Sequence, residues 1–163
     1  MHIYIKNKIL SIHTYKVKCS IGKRGIKFKK KEGDLITPKG EFKILNIFYR
    51  KDRIYKLKSR IKKTIITKKM GWCDDPRSKN YNQLIKFPFK YRAEKLYKKN
   101  NTYDIILVLN YNIKPIRKNK GSAIFIHIAK KKFQNTNGCV AIQKKYMKLI
   151  INLINYKTKV KIS

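Results

Sequence analysis

Acidic residues are scarce in this chain: eight Asp and Glu stand against 43 Lys and Arg in 163 residues, a formal net charge of +35. Arginine is scarce too, at seven of the 43. Its planar fork is the group best suited to reading bases and gripping phosphates, and the lysines run along the whole chain instead of gathering in a tail or stripe. Lys, Ile and Asn are all abundant, as an AT-rich coding sequence would produce. The charge therefore reads as a solvated lysine surface, and no specific nucleic-acid partner is expected. Apolar runs long enough to span a membrane are missing, and Met1–Lys8 alternates where a secretory signal would be continuously apolar. No transmembrane segment is expected, and the chain as it stands reads as soluble and unprocessed. Cysteine is limited to Cys19, Cys73 and Cys139, with no CxxC spacing and an odd count, which excludes a disulfide framework and a zinc ribbon. A metal site from Cys73, His127 and Cys139 matches no zinc ligand spacing, so neither metal nor cofactor is expected.

What is present suits one globular domain over residues 1–163, with no repeat or linker, 42% hydrophobic residues and 12% aromatics to build a core. The pattern is mainly β with minor α. Ile3 and Ile5, then Ile9 to Cys19 beyond the Lys6-Asn7-Lys8 turn, predict a hairpin; Glu41–Tyr49, Tyr103–Leu109 and Ser122–Ile128 predict further strands, the last two central. Met147, Ile150, Ile151 and Ile154 fall at helical spacing and predict an amphipathic helix over Lys144–Tyr156. Lys157–Ile162 alternates again as a closing strand, and Ala93–Lys98 can form a short helix. Gly33-Asp34, Thr37-Pro38-Lys39-Gly40 and Asp74-Asp75-Pro76 read as turns, and Ile54–Lys69 stays ambiguous.

One stretch carries chemistry. Thr136-Asn137-Gly138-Cys139-Val140 supplies a thiol behind a glycine, and His127 lies upstream on the apolar run Ala123–Ile126. A thiolate attacks carbonyls, a neutral imidazole can take the thiol proton, and a glycine lets backbone N–H groups approach a developing oxyanion. His127 is placed near the end of one strand and Cys139 at the start of the next, joined by the loop Ala129–Gly138. Rigid strand ends are good mounts for two reacting groups. His2 and His13 read as surface residues, and Cys19 and Cys73 as structural. Trp72 reads as core or cleft wall. Asp74 and Asp75 either bind substrate amines or cap their turn.

Several segments in fixed order resemble a known family. Gly33-Asp34, Thr37-Pro38-Lys39-Gly40-Glu41-Phe42, His127 and Thr136-Asn137-Gly138-Cys139-Val140 look like the L,D-transpeptidase catalytic domain, the YkuD fold. Gly71-Trp72-Cys73-Asp74-Asp75-Pro76, Tyr81-Asn82 and Gly121–His127 point to a less studied branch of it, and the likeness runs from about Cys19 to the C-terminus. The resemblance implies a YkuD-like β-sandwich with a C-terminal amphipathic helix and closing strand. It also implies peptidoglycan stem peptides as substrate. The cysteine is acylated with release of a terminal D-alanine, and the acyl group passes to an amine of a neighbouring stem or to water. By motif position Cys139 is the nucleophile, His127 its base, and Gly138 with the Cys139 N–H part of the oxyanion hole. The same resemblance puts Asn137, Thr136, Trp72, Asp74, Asp75 and Tyr81 on the substrate side, in a monomeric enzyme of the periplasm or cell envelope, with the cytoplasm left open by the lack of a visible signal. Asn137 stands where a second histidine usually precedes the glycine, and Ala141 where an Arg or Asn follows the cysteine. These departures bear on acceptor choice, so a hydrolytic, carboxypeptidase outcome is the neighbouring possibility. From another class altogether, a cationic binding module for nucleic acid or another polyanion would keep the fold without using the thiol.

Overall fold

Strand outweighs helix 36% to 6% in the computed structural model, which describes residues 1–130 and 132–163. β1 (Ile3–Lys6), β2 (Ile9–Ile12) and β3 (Tyr15–Ser20) form an antiparallel meander. The first turn, Asn7-Lys8, has φ of 49° and 60°, the two positive values that let a two-residue loop follow strand twist. The strand expected over Ile9–Cys19 is two strands, because His13, at φ 51°, turns the chain back. His2 is half-buried, its Nδ1 accepting the Lys159 N–H at 3.3 Å.

β4 (Ile26–Lys27) and β5 (Thr37–Pro38) pair in parallel. The turn expected at Thr37–Gly40 is instead extended chain running into β6 (Gly40–Tyr49). Its N–H groups have partners there: Thr37 donates to Gly25 O at 3.0 Å and Lys39 to Lys27 O at 2.8 Å. In the ambiguous stretch 54–69, β7 (Lys63–Ile65) adds to the end of β6. A second sheet follows, with β8 (Met70–Cys73) between β9 (Leu84–Lys86) and β10 (Ala93–Lys95). β10 replaces the short helix expected there, since Ala93–Lys95 pair with Gly71–Cys73 and Leu96 N–H donates to Met70 O at 3.0 Å. Cross-strand partners overrule a local helix preference.

β11 (Ile105–Leu109), β12 (Phe125–Ile128) and β13 (Val140–Ile142) come next, then α1 (Lys144–Leu153) and β14 (Lys159–Ile162). The helix stops three residues before the expected Tyr156. The nine-stranded sheet runs β11-β12-β13-β3-β2-β1-β14-β6-β7 and curls shut, because β6 also pairs with β11. Strand alternation then sorts side chains into two cores. Ile105, Leu107, Ile126, Ile128, Val140 and Ile142 face the main core, which α1 completes with Met147, Ile150 and Ile151, joined by Ile154 just past its end. Ile106, Val108 and Phe125 face the other way, packing with Trp72, Tyr103 and Leu96 beneath the second sheet. His127 and Cys139 share the parity of this second face. That face opens to solvent as a cleft of about 860 Å³.

Candidate active site

β12 and β13 run parallel with His127 opposite Ala141. Cys139 lies two residues before Ala141, so thiol and imidazole project from one face of adjacent strands. Both line the cleft. His127 is 8% exposed, and its Nδ1 sits 3.0 Å from Ile128 O. A carbonyl oxygen only accepts, so Nδ1 carries the hydrogen and Nε2 keeps its lone pair. The Tyr103 ring meets the imidazole edge-on at 5.3 Å between centroids and fixes its plane. Burial holds the imidazole down to about 4, against the opposing pull of the Ile128 carbonyl.

The thiol is only partly covered, and its Sγ has two backbone partners. It accepts the Phe125 N–H at 3.4 Å and donates to Ala123 O at 3.2 Å. Burial pushes the thiol up to about 12, with the Phe125 N–H opposing. The two shifts run in opposite directions, so the resting pair is a thiol and a neutral imidazole.

The turn before the thiol is tied from within and from outside. Thr136 Oγ1 accepts the Gly138 N–H at 3.1 Å and donates to Cys139 O at 2.5 Å. Its backbone bridges to the 21–23 strand end, with Thr136 N–H on Ile21 O at 2.9 Å and Lys23 N–H on Thr136 O at 3.0 Å. Gly138 needs to be glycine, since φ is +139° and a Cβ would stand 2.9 Å from Ile36 O. Asn137 is exposed at the cleft rim.

The remaining sequence-predicted residues divide. Trp72 is both core and cleft wall: it packs edge-on to Phe125 at 5.3 Å and donates its indole N–H to Asn82 Oδ1 at 2.9 Å. Asp74 lines the cleft and accepts from Arg92 Nε at 3.0 Å. Asp75 does not line it. Its carboxylate is buried under Arg77, which donates from Nε at 3.0 Å, Nη2 at 2.8 Å and its own backbone N–H at 3.0 Å. These bonds hold the acid well below the usual carboxylate range. Of the two expectations for Asp75, the turn cap is the one this geometry matches. Tyr81 is buried behind the cleft; it donates to Glu32 Oε2 and accepts the Gly121 N–H at 3.1 Å.

Other cleft residues were not legible in the sequence. Glu94 on β10 accepts from Tyr103 Oη at 2.9 Å and Lys98 Nζ at 2.7 Å, and Lys98 lies over the Tyr103 ring at 4.1 Å. Lys29 and Asp34 form a pair at 2.5 Å, each side chain 3% exposed. Desolvation pushes Asp34 up, but Lys29 and the N–H groups of Lys30, Ile36 and Lys31 outweigh it and hold the acid at about 2. Asp34 belongs to the Gly33-Asp34 segment that the sequence singles out, whereas nothing local marks Glu94 and Lys98, which sheet pairing brings to the cleft. Four cations, Lys29, Arg92, Lys98 and Lys130, face three carboxylates, Glu32, Asp74 and Glu94, across the cleft. On a chain of net charge +35 this is a nearly balanced surface.

Together, a thiol, a neutral imidazole with a free lone pair and a glycine-opened turn at one cleft define a site able to do thiol-based acyl transfer on a sheet-borne scaffold. The chain belongs to the L,D-transpeptidase catalytic domain (YkuD) family, whose model matches residues 1–162. The match takes in the N-terminal meander that the sequence resemblance, beginning near Cys19, left out. Members of this family are in general transpeptidases acting on peptidoglycan and typically work in the cell envelope. No curated protein matches the chain. Among the described residues the one helix, α1, has ten residues, and no helix is long and apolar enough to cross a membrane.

Proposed function

We propose that this chain is a cysteine acyltransferase of peptidoglycan stems, an L,D-transpeptidase in which Cys139 is the nucleophile and His127 the base. The observation that carries this reading is the tautomer: Ile128 O holds the Nδ1–H, leaving Nε2 as an acceptor on the sheet face that bears the thiol. In the acylation step Sγ adds to the carbonyl before the terminal D-alanine while its proton passes to Nε2. The C–N bond then breaks, the departing amine takes the proton from Nε2, and a thioester remains. An amine of a second stem adds to that thioester, loses its proton to Nε2, and expels the thiolate, which recovers the proton. Water in place of the amine gives the carboxypeptidase outcome.

The balanced cleft supports a zwitterionic peptide over a polyanion. A nucleic acid would gain little there, because Glu32, Asp74 and Glu94 offset most of the four cations. Asp74 is the acceptor-side residue in this reading: its Oδ1 holds Arg92, and its exposed edge is placed to orient an ammonium. A monomer working in the cell envelope is part of the same proposal, in keeping with the family's typical place of action. Chromatography of muropeptides treated with the purified protein tests the function. Crosslinked dimers and free D-alanine, both lost in Cys139→Ala, are expected; a product pattern unchanged by Cys139→Ala would overturn the reading.

A further inference from the structure

Thr37 lies 101 positions from Gly138 in sequence and is completely buried, so it touches no substrate. Its hydroxyl nevertheless holds the peptide on which the thiol sits. Oγ1 accepts the Gly22 N–H at 2.7 Å and donates to Gly138 O at 2.8 Å. One hydrogen is given and one received, so the hydroxyl has no rotational freedom left. The two segments it joins also pair directly, with Gly22 bridged to Thr136. They are closely packed: a Cβ on Gly22 would strike Leu35 O and stand 2.8 Å from Thr37 N, and one on Gly138 would strike Ile36 O.

The consequence follows from peptide planarity. In a trans peptide the carbonyl of one residue and the N–H of the next point in opposite directions. Thr37 draws the Gly138 carbonyl into the buried side of the turn. The Cys139 N–H is thereby turned toward the cleft, which Gly138 and Cys139 both line. We propose that Thr37 is a positioning residue for the oxyanion: its hydroxyl aims the Cys139 N–H at the oxygen that becomes negative when the thiol adds to a carbonyl. Without the hydroxyl the 138–139 peptide can rock about its flanking bonds, since ψ of Gly138 carries no side-chain restraint. A donor that must be reoriented during the reaction stabilises the transition state less than one already in place.

The inference rests on Cys139 being the nucleophile, and the test separates the two. Acylation of Cys139 by a carbapenem, which forms a tetrahedral oxyanion, is compared with alkylation by iodoacetamide, which displaces iodide at an sp³ carbon and forms none. Thr37→Val removes the hydroxyl at nearly constant shape, and Thr37→Ser keeps it. Loss of one oxyanion donor costs roughly 10²–10³ in rate, and a loosened one is expected to cost about 10–100-fold. Thr37→Val is expected to lower the maximal acylation rate by that factor, with little change in the carbapenem concentration for half-maximal rate. Its alkylation rate should stay within about twofold, and Thr37→Ser should recover acylation to within about threefold. Equal losses of acylation and alkylation, a loss not rescued by serine, or no loss at all would each overturn the positioning role. If valine prevents folding, Thr37→Ala carries the same comparison at lower temperature. A wild-type protein that is never acylated at Cys139 would instead sink the proposed function.

Discussion

Cys139 is expected to behave as a partly covered, protonated thiol until a carbonyl arrives, and its alkylation pH profile tests this. Burial raises the thiol from about 9 to about 12. At pH 8 a free cysteine is about one-tenth thiolate, whereas a thiol at 12 is about one part in ten thousand, so the reactive form is depleted about a thousandfold. Between pH 6 and 10 the logarithm of the iodoacetamide rate should climb with unit slope and no plateau. Partial burial also slows approach of the reagent, so the profile and not the absolute rate carries the test. The rate is followed by peptide mass spectrometry, with Cys139→Ala defining the background from Cys19 and Cys73. His127→Ala is expected to leave this profile nearly unchanged, because a neutral imidazole held near 4 contributes no positive charge to the thiolate. The same variant should slow carbapenem acylation by roughly 10²–10⁴, the usual worth of a general base. A plateau of alkylation between pH 6 and 8 would reveal a preformed thiolate–imidazolium pair and refute the neutral resting state.

Four further outcomes follow from the site and the surface charge. Asp74→Asn is expected to shift muropeptide products from crosslinked dimers toward hydrolysed stems at unchanged acylation rate. Asp75→Asn, away from the cleft, should instead lower the melting temperature at neutral pH. Because the folded Asp75 acid sits below its unfolded value, the stability it supplies is present above the unfolded value and lost as pH falls through the folded one, so this difference should shrink in acid. An Asp75→Asn protein of full stability with altered products would reverse the two assignments. Gly138→Ala forces a Cβ toward Ile36 O at positive φ and should cost about 1–3 kcal/mol in denaturant unfolding; an unaffected midpoint would show that the turn tolerates a side chain. DNA binding should be weak, indifferent to sequence and largely gone at physiological salt, and nanomolar affinity there would favour a polyanion-binding role.

Period and order made much of the fold readable. The meander, β6, β11, β12, α1 and β14 announce themselves by alternation or helical spacing, and errors gather where a turn residue interrupts the pattern, as at His13. β8 to β10 carry no such pattern. Gly71, Trp72 and Cys73 are all buried because β8 is the middle strand of the second sheet and is covered on both faces, and Ala93–Lys95 become strand through their partners. The nearness of thiol and imidazole was legible because His127 lies on one strand and Cys139 immediately before the next, a short loop apart. Asp74 and Asp75 are adjacent yet diverge, one to the cleft and one to Arg77, and adjacency alone does not say which goes where. Tyr103, Glu94 and Lys98 gather around His127 only through the folded sheets, and Thr37 acquires a role only when its hydroxyl meets Gly138 across the whole domain.

Whether Cys139 carries the acyl group is read most directly by intact-mass and peptide mapping after incubation with a tetrapeptide stem. The expected result is a protein heavier by the stem less its terminal D-alanine, with the adduct on Cys139 and absent from Cys139→Ala. An adduct confined to Cys19 or Cys73, or one that persists in Cys139→Ala, would contradict the assignment.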